Sequence, residues 1–78
     1  MEKTEILKIV GKRIKNLRES KGLSQVDLVG KMQGEIEPTN ISRIESGRTN
    51  PTVYTLFRIA EALEVNPKEL LDVETSTD

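Results

Sequence analysis

The chain has 78 residues, enough for one small domain that buries only about 60% of the surface its unfolded chain exposes. It contains no cysteine and no histidine, which excludes disulfides, thiol chemistry, and both the commonest metal ligand and the commonest general base. Carboxylates are the main catalytic candidates left, and none lies in an obviously apolar stretch, so we expect neither an enzyme nor a metal or cofactor site.

The charge of the chain is unevenly distributed. Its formal net charge is −1, but residues 1–23 carry seven Lys or Arg against three Glu, and residues 51–78 carry two against six acidic residues. The charge that a binding partner meets is therefore that of the surface it contacts, not the net charge of the chain. The charged N-terminus lacks the apolar core of a signal peptide, and no run of about 18 apolar residues occurs. A cytoplasmic protein without a membrane segment is expected.

The first predicted helix runs from about residue 5 to residue 20. Thr4 precedes it as a candidate N-cap, and Gly22 follows it at a position that suits the left-handed conformation in which many helices end. Apolar residues within this span recur at spacings of four, four and three. They place one stripe toward a core, formed by Ile6, Val10, Ile14 and Leu17.

The second predicted helix is short. Ser24 and Asp27 fit a capping box at its start, because the hydroxyl can accept from the Asp27 amide while an acidic group lies in the first turn. Gly34 is the predicted end of this helix. Its apolar side consists of Leu28, Val29 and Met32.

The third predicted helix covers residues 38–45. Pro38 has no amide proton and therefore favours the first helical turn, which makes Glu37 a possible neighbour of the N-cap. Ile41 and Ile44 are expected to point inward, and Gly47 to end the helix.

Two more helices complete the prediction. Thr52 is the expected N-cap of helix four, whose apolar residues Val53, Leu56, Ile59, Ala60 and Leu63 repeat on one face. The pair Asn66-Pro67 predicts an N-cap with proline at the first position of helix five, in which Leu70 and Leu71 close the core. No six-residue stretch alternates convincingly as a strand. The sequence thus predicts one all-α domain of five short helices, with a core at about 5–71 and frayed ends at 1–3 and 72–78.

Three segments of the sequence resemble one family. They are I-K-N-L-R-E-S-K-G-L-S-Q-V-D-L, N-I-S-R-I-E-S-G-R-T-N-P-T and L-F-R-I-A-E-A-L-E-V-N-P-K-E-L, and the likeness extends from about Val10 to Leu71. They are similar to the phage-repressor-like (XRE-type, Cro-like) helix-turn-helix domains. The resemblance implies a compact five-helix lambda-repressor-like bundle that binds operator DNA, usually as a dimer on a two-fold symmetric site.

The resemblance also implies roles for individual residues, with helix three entering the major groove. Base-reading positions are Pro38, Thr39, Asn40 and Arg43, and backbone-contacting positions are Ser24, Gln25, Ser42 and Arg48. Arg18 and Glu45 match a structural ion pair between helix one and the end of helix three. Four of these assignments have a plainer alternative: Arg43 as a solvated surface arginine, Gln25 as an exposed side chain, and Asn40 and Ser42 as side chains that bond only backbone or water.

The residues of helix three support its assignment independently. Because Ile41 and Ile44 are apolar and face inward, positions 39, 40 and 43 must share the opposite face at helical spacing. An outward Arg43 there can donate two parallel hydrogen bonds to guanine.

The sequence departs from the family pattern before helix three. About two extra residues lie somewhere in Q-G-E-I-E, residues 33–37. Glu35 and Glu37 in this turn could cap helix three, contact a cytosine amino group, or repel a phosphate.

Outside the helix-turn-helix, Tyr54 and Phe57 are the only aromatic residues. Phe57 is expected at the edge of the core stripe of helix four and Tyr54 off it, and one of the two is expected to meet a two-fold mate. The basic residues of helix one, Lys12, Arg13, Lys15 and Lys21, are expected to form a solvated face that adds at most nonspecific attraction to DNA.

The expected function is a sequence-specific, double-stranded-DNA-binding transcription regulator, a repressor that binds an inverted-repeat operator as a homodimer. One alternative is the antitoxin of a toxin–antitoxin pair, which the absence of an obvious toxin-binding extension disfavours. The other is a protein-interaction module that has lost DNA binding, which Glu35 and Glu37 favour.

Overall fold

The computed structural model describes residues 1–33 and 36–74. These ranges form four α-helices and a final 3₁₀ helix, with no strand among them: α1 (Lys3–Ser20), α2 (Gln25–Lys31), α3 (Pro38–Glu45), α4 (Val53–Leu63), and the 3₁₀ helix Pro67–Leu71. The all-α prediction is confirmed, but the fifth element is not an α-helix. It has only five residues, and pieces this short commonly adopt the tighter 3₁₀ form. No described helix is both long enough and apolar enough to cross a membrane.

Side-chain caps begin three of these elements, as predicted. Ser24 Oγ accepts from the Asp27 amide at 3.0 Å, and the Ser24 amide donates to Asp27 Oδ2 at 2.9 Å, which completes the capping box. Thr52 Oγ1 accepts from the amide of Thr55, and Asn66 Oδ1 from that of Lys68.

The predicted cap at Thr4 is wrong. α1 begins at Lys3, with Glu2 as an extended N-cap residue that makes no side-chain hydrogen bond, so Thr4 lies inside the first turn. The lysine and the glutamate that flank Thr4 are good helix formers, and they extend the helix beyond the residue whose side chain suits a cap.

Residues with a left-handed backbone conformation lie at or just beyond the ends of all four α-helices. Gly22 (φ +71°) and Gly47 (φ +77°) follow α1 and α3 as predicted. After α2 and α4 the left-handed residues are instead Gln33 and Glu64, both at φ +58°. The predicted end of α2 at Gly34 lies outside the described residues; the helix itself stops at Lys31.

The core draws buried side chains from every element. They are Ile14, Leu28, Met32, Ile41, Ile44, Ile59, Ala60, Leu63 and Leu70. Three predicted core residues are instead exposed: Ile6 by 44%, Val53 by 69% and Leu71 by 58%. Each lies near an end of its helix, where no neighbouring element extends far enough to cover the stripe.

α1 and the last turn of α3 approach each other closely. A Cβ added to Gly11 would collide with the carbonyl oxygen of Ile44 and lie 2.6 Å from that of Glu45. A Cβ added to Gly47 would lie 2.9 Å from the backbone nitrogen and Cα of Lys8. Two glycines, one in each partner, therefore let the backbones of α1 and the end of α3 touch.

Candidate functional site

The outward face of α3 is polar and exposed. Thr39, Asn40, Ser42 and Arg43 are exposed and Pro38 is half-buried, while Ile41 and Ile44 anchor the helix from the other side. The side chains of Asn40 and Ser42 make no hydrogen bond within residues 1–33 and 36–74. Their polar groups thus remain accessible to a ligand.

The end of α3 presents two arginines. The Arg43 carbonyl accepts a hydrogen bond from the Arg48 amide at 2.8 Å and another from Ser46 Oγ at 3.2 Å. These bonds close the backbone around Gly47 and hold Arg43 and Arg48 close together. Both side chains are exposed, and in the described part of the chain neither guanidinium has a hydrogen-bond or ion-pair partner.

An ion pair between Arg18 and Glu45 lies beneath this surface. Arg18 Nε is 2.7 Å from Glu45 Oε2 and Arg18 Nη2 is 3.0 Å from Oε1, and the side chains are only 8% and 3% exposed. The Glu45 hydrogen bond raises the pKa of Arg18, against the opposing effect of burial. Arg18 Nη1 also donates to the Leu23 carbonyl at 2.6 Å, so the pair joins α1, the turn after it, and α3.

Gln25 joins the same network, which sequence reasoning missed. Its Nε2 donates to Glu45 Oε1 at 3.1 Å. Because a carboxylate only accepts hydrogen bonds, the amide nitrogen must point to Glu45, leaving its second hydrogen and the amide oxygen for other partners. The contact connects the start of α2 with the end of α3, two residues 20 positions apart in sequence, and no local pattern indicates it.

The start of α2 is occupied by its own cap. Ser24 uses its amide and its hydroxyl oxygen in the capping box. The hydrogen bonds from Ser24, its backbone amide first and its hydroxyl second, lower the pKa of Asp27. Asp27 is thus held as an exposed anion beside a position where a backbone contact is predicted.

Glu37, in the turn before α3, is exposed. It is the N-cap residue of α3, but its side chain makes no capping hydrogen bond, so this one of its three suggested roles is wrong. Ile36 beside it packs against the core, while Glu35 lies outside the described residues.

An apolar patch lies between α4 and the 3₁₀ helix. Phe57 is 52% exposed and is not part of the core stripe, contrary to prediction. Around it lie Val53, Leu56, Pro67 and Leu71, and we call these five residues the Phe57 patch. Tyr54 lies outside it, on the side of α4 that faces Met32 and Asn40.

The basic residues in and just after α1 differ in burial and in hydrogen bonding. Lys12, Lys15 and Lys21 are exposed, as expected of a solvated face. Arg13 is different: it is half-buried, donating from Nε to the Glu69 carbonyl at 2.8 Å and from Nη2 to Glu69 Oε1 at 3.0 Å. Its role is thus to attach the 3₁₀ helix to α1. The described residues contain no group of three or more acidic side chains that could hold a metal ion.

The chain is similar to helix-turn-helix proteins that are already known. A family model described as a helix-turn-helix domain matches residues 11–76. The uncharacterized HTH-type transcriptional regulator y4dJ of Sinorhizobium fredii is 38% identical over 74 residues, covering 95% of this chain and 90% of the relative.

Two solved structures of restriction-modification controller proteins are also similar. C.AhdI from Aeromonas hydrophila is 30% identical, with a TM-score of 0.76 and coverage of 85% of this chain and 96% of that chain. C.Esp1396I, solved as a tetramer in complex with its natural 35 base-pair operator, is 35% identical, with a TM-score of 0.72 and coverage of 86% and 96%.

Proposed function

The chain belongs to the helix-turn-helix domain family, and from this premise we propose that it is a sequence-specific transcription regulator that binds double-stranded DNA as a homodimer. The main support for this proposal is the exposed polar face of α3. There Thr39, Asn40 and Arg43 project outward from a helix that Ile41 and Ile44 fix to the core.

In this proposal α3 lies in the major groove and reads bases. The exposed Arg43 guanidinium donates two parallel hydrogen bonds to guanine O6 and N7, which discriminates against other bases by about 1–3 kcal/mol. Thr39 and Asn40, about one turn earlier, face the adjacent base pairs. Pro38 packs at the start of the same face.

Contacts to the DNA backbone set the register of α3. Gln25 at the start of α2, Ser42 on α3, and Arg48 after α3 are the proposed phosphate contacts. Ser24 is the weakest of the proposed backbone contacts, because its amide and hydroxyl oxygen are already engaged in the capping box with Asp27. Gln25 is well placed for this role because Glu45 orients its amide, leaving one N–H to donate to phosphate.

The exposed Phe57 patch and the relatives support a homodimer. C.Esp1396I was solved as a tetramer on its operator. We place the two-fold interface of this chain at the Phe57 patch, because it is an apolar surface separate from the proposed DNA-binding face. Two α3 helices related in this way would address half-sites about one helical turn apart, roughly 34–36 Å. Repression would follow from occupancy of promoter DNA.

The controller-protein relatives favour a more specific role, the control of restriction-modification genes. Genes for a restriction endonuclease and a methyltransferase beside the gene for this chain would support that role. A small toxin gene in the same place would support an antitoxin instead.

Selection of bound duplexes from random-sequence DNA tests the proposal. We expect enrichment of an inverted repeat, followed by tighter binding of the enriched duplex than of a scrambled one at two salt concentrations. If nothing is enriched and all binding is lost at modest salt, the proposal is contradicted and the result supports a protein-interaction module instead.

Substitution of the two arginines at the end of α3 separates base reading from phosphate contact. Arg43→Ala should relax preference at one base pair per half-site, because the contact to one guanine is lost. Arg48→Ala, the matched control, should weaken binding to all sequences about equally and reduce the salt dependence. Both are measured by repeating the selection and by titrating enriched and scrambled duplexes. Uniform weakening by Arg43→Ala would assign that residue to phosphate instead.

The interface at the Phe57 patch is tested by sedimentation. Phe57→Asp should convert the dimer to a monomer, because it puts a charge into an apolar contact that must be desolvated. Tyr54→Asp alone should leave the dimer intact, since Tyr54 lies outside the patch. Analytical ultracentrifugation of both variants and of the Tyr54→Asp, Phe57→Asp double variant provides the measurement. An unchanged oligomeric state in the double variant contradicts the assignment.

A further inference from the structure

Lys8 of α1 packs on the loop that follows α3. A Cβ added to Gly47 would lie 2.7 Å from Lys8 Cγ, and 2.9 Å from its backbone nitrogen and Cα. The stem of the lysine therefore rests on Gly47, the residue immediately before Arg48. Contact between α1 and this loop is possible only because Gly47 has no side chain.

The charged end of Lys8 has no hydrogen-bond or ion-pair partner among the residues that the structure describes. Lys8 is exposed, and within residues 1–33 and 36–74 its ammonium makes no hydrogen bond and no ion pair. A backbone hydrogen bond holds the backbones of Arg43 and Arg48 close together, and Lys8 packs on Gly47 beside them. The three cationic side chains therefore start from neighbouring positions at the end of α3. Cationic side chains that start from neighbouring backbone positions favour a positive local potential and the approach of a polyanion, although the chain as a whole has a net charge of −1.

We propose that Lys8 binds a DNA phosphate adjacent to the one contacted by Arg48, so that the DNA-binding surface extends from the helix-turn-helix onto α1. The inference rests on the proposed function, because it assumes that DNA lies against α3. It adds a backbone contact from a helix outside the two that form the motif. This contact contributes affinity and register but no base preference.

The position of Lys8 distinguishes it from the next lysine of α1. With 3.6 residues per turn, Lys8 is rotated about 60° from Gly11, the residue that faces α3, whereas Lys12 is rotated about 100°. Lys12 is also exposed, but it points further from α3 and from Arg48. It is therefore a matched control of the same charge, helix and exposure.

A simpler role for Lys8 also has to be tested. The last turn of α3 carries the partial negative charge of its helix dipole, and a lysine nearby could only stabilise that end. In that case substitution would lower thermal stability and leave the salt dependence of DNA binding unchanged.

The test compares Lys8→Gln, Lys8→Arg and Lys12→Gln with the wild-type chain. Glutamine retains the Cβ and Cγ atoms that cover Gly47 and replaces the charged ammonium end with a neutral amide. Binding is titrated from low to high salt against the duplex enriched by selection and against a scrambled duplex of equal length. Thermal melting of each variant reports folding.

Lys8→Gln should reduce the slope of log K against log salt by about 0.9 per protomer, which corresponds to roughly eightfold weaker binding per protomer at 0.1 M salt. The loss should be equal for both duplexes. Lys8→Arg should retain the wild-type slope, and Lys12→Gln should change it by less than half as much as Lys8→Gln. A wild-type slope for Lys8→Gln, or equal changes for Lys8→Gln and Lys12→Gln, would overturn the assignment while enrichment of an operator by the wild-type chain still supported the proposed function.

Discussion

Replacing Glu45 with alanine is expected to destabilise the fold by about 3–5 kcal/mol, because it leaves the buried Arg18 guanidinium without its counter-ion. The Arg18 side chain is 8% exposed and loses two of its three hydrogen bonds, retaining only the one to the Leu23 carbonyl. Arginine cannot become neutral by losing its proton at any ordinary pH, so the loss should persist across pH 5–9. Thermal melting and urea denaturation measure it.

The size of this effect is large for so small a domain. Single domains are typically stable by about 5–15 kcal/mol, and a chain of this length is expected near the lower limit. Each kcal/mol shifts the Tm of a 60–100-residue domain by about 4–8 °C, so the expected fall exceeds about 12 °C. A variant that melts within a few degrees of the wild-type protein would show that water or a neighbouring group compensates the charge.

A double-mutant cycle provides the control. Arg18→Met alone should also be strongly destabilising, because among the described residues it leaves the buried Glu45 carboxylate with Gln25 as its one hydrogen-bond partner. The Arg18→Met, Glu45→Leu double variant should cost less than either single substitution, since neither charge then remains unpaired. Additive costs would show that the two residues act independently despite their 2.7 Å contact.

Gln25 offers a milder comparison within the same network. Its loss removes one hydrogen bond from Glu45 Oε1, which still accepts from Arg18 Nη2. The ion pair therefore survives in a Gln25→Ala variant, and the change in stability should be much smaller than for Glu45→Ala.

Local sequence signals predicted most helix boundaries correctly. The capping box at Ser24, the caps at Thr52 and Asn66, and the proline at the start of α3 all depend on residues within one turn of each other. Such short-range hydrogen bonds can be read from residue types and spacing alone. Gln33 and Glu64 could not be predicted in this way, because nothing in their side chains indicates a left-handed backbone.

The errors in the predicted core have a different cause. Periodicity identifies which face of a helix is apolar, but it does not show how far the neighbouring elements extend. Ile6, Val53, Phe57 and Leu71 lie on or next to apolar stripes and remain exposed because no other element in the described part of the chain covers them. For Phe57 and its neighbours, this exposure is the observation on which the proposed dimer interface rests.

The candidate site was predictable where the family resemblance covered it, and less so where packing determined it. The resemblance placed Arg18 and Glu45 as an ion pair, and the two side chains are in contact. Nothing in the sequence linked Gln25 to Glu45 or Lys8 to Gly47, because these contacts arise only when α1, α2 and the end of α3 come together. Gly11 did not indicate the close contact with α3 either, because a glycine in a helix signals by itself only a lower helix propensity.

Gly11→Ala is expected to destabilise the protein although alanine is the better helix former. In an exposed helix this substitution would gain about 1 kcal/mol. Here the added Cβ would collide with the Ile44 carbonyl oxygen and lie within 2.8 Å of the Glu45 carbonyl group. These are backbone atoms, which cannot avoid the clash by changing rotamer, so α1 must move away from α3.

The expected net loss is about 2–3 kcal/mol, in the upper part of the range for overpacked sites. Any movement of α1 also disturbs the last turn of α3, where Arg43 and Glu45 lie. The folded fraction of the variant should therefore bind the enriched duplex more weakly, and preference at the Arg43 base pair should decline with it.

Gly30→Ala is the matched control, because Gly30 is also helical but a Cβ there would have no atom within 4 Å. This variant should be as stable as the wild-type protein or more stable by up to about 1 kcal/mol, since only helix propensity changes. Thermal melting of both variants under identical conditions shows whether helix propensity or packing against α3 determines the effect of the added Cβ on stability. If Gly11→Ala also matches or exceeds the wild-type Tm, the backbones of α1 and α3 are not in contact in solution, and the attribution of their close approach to two glycines is wrong.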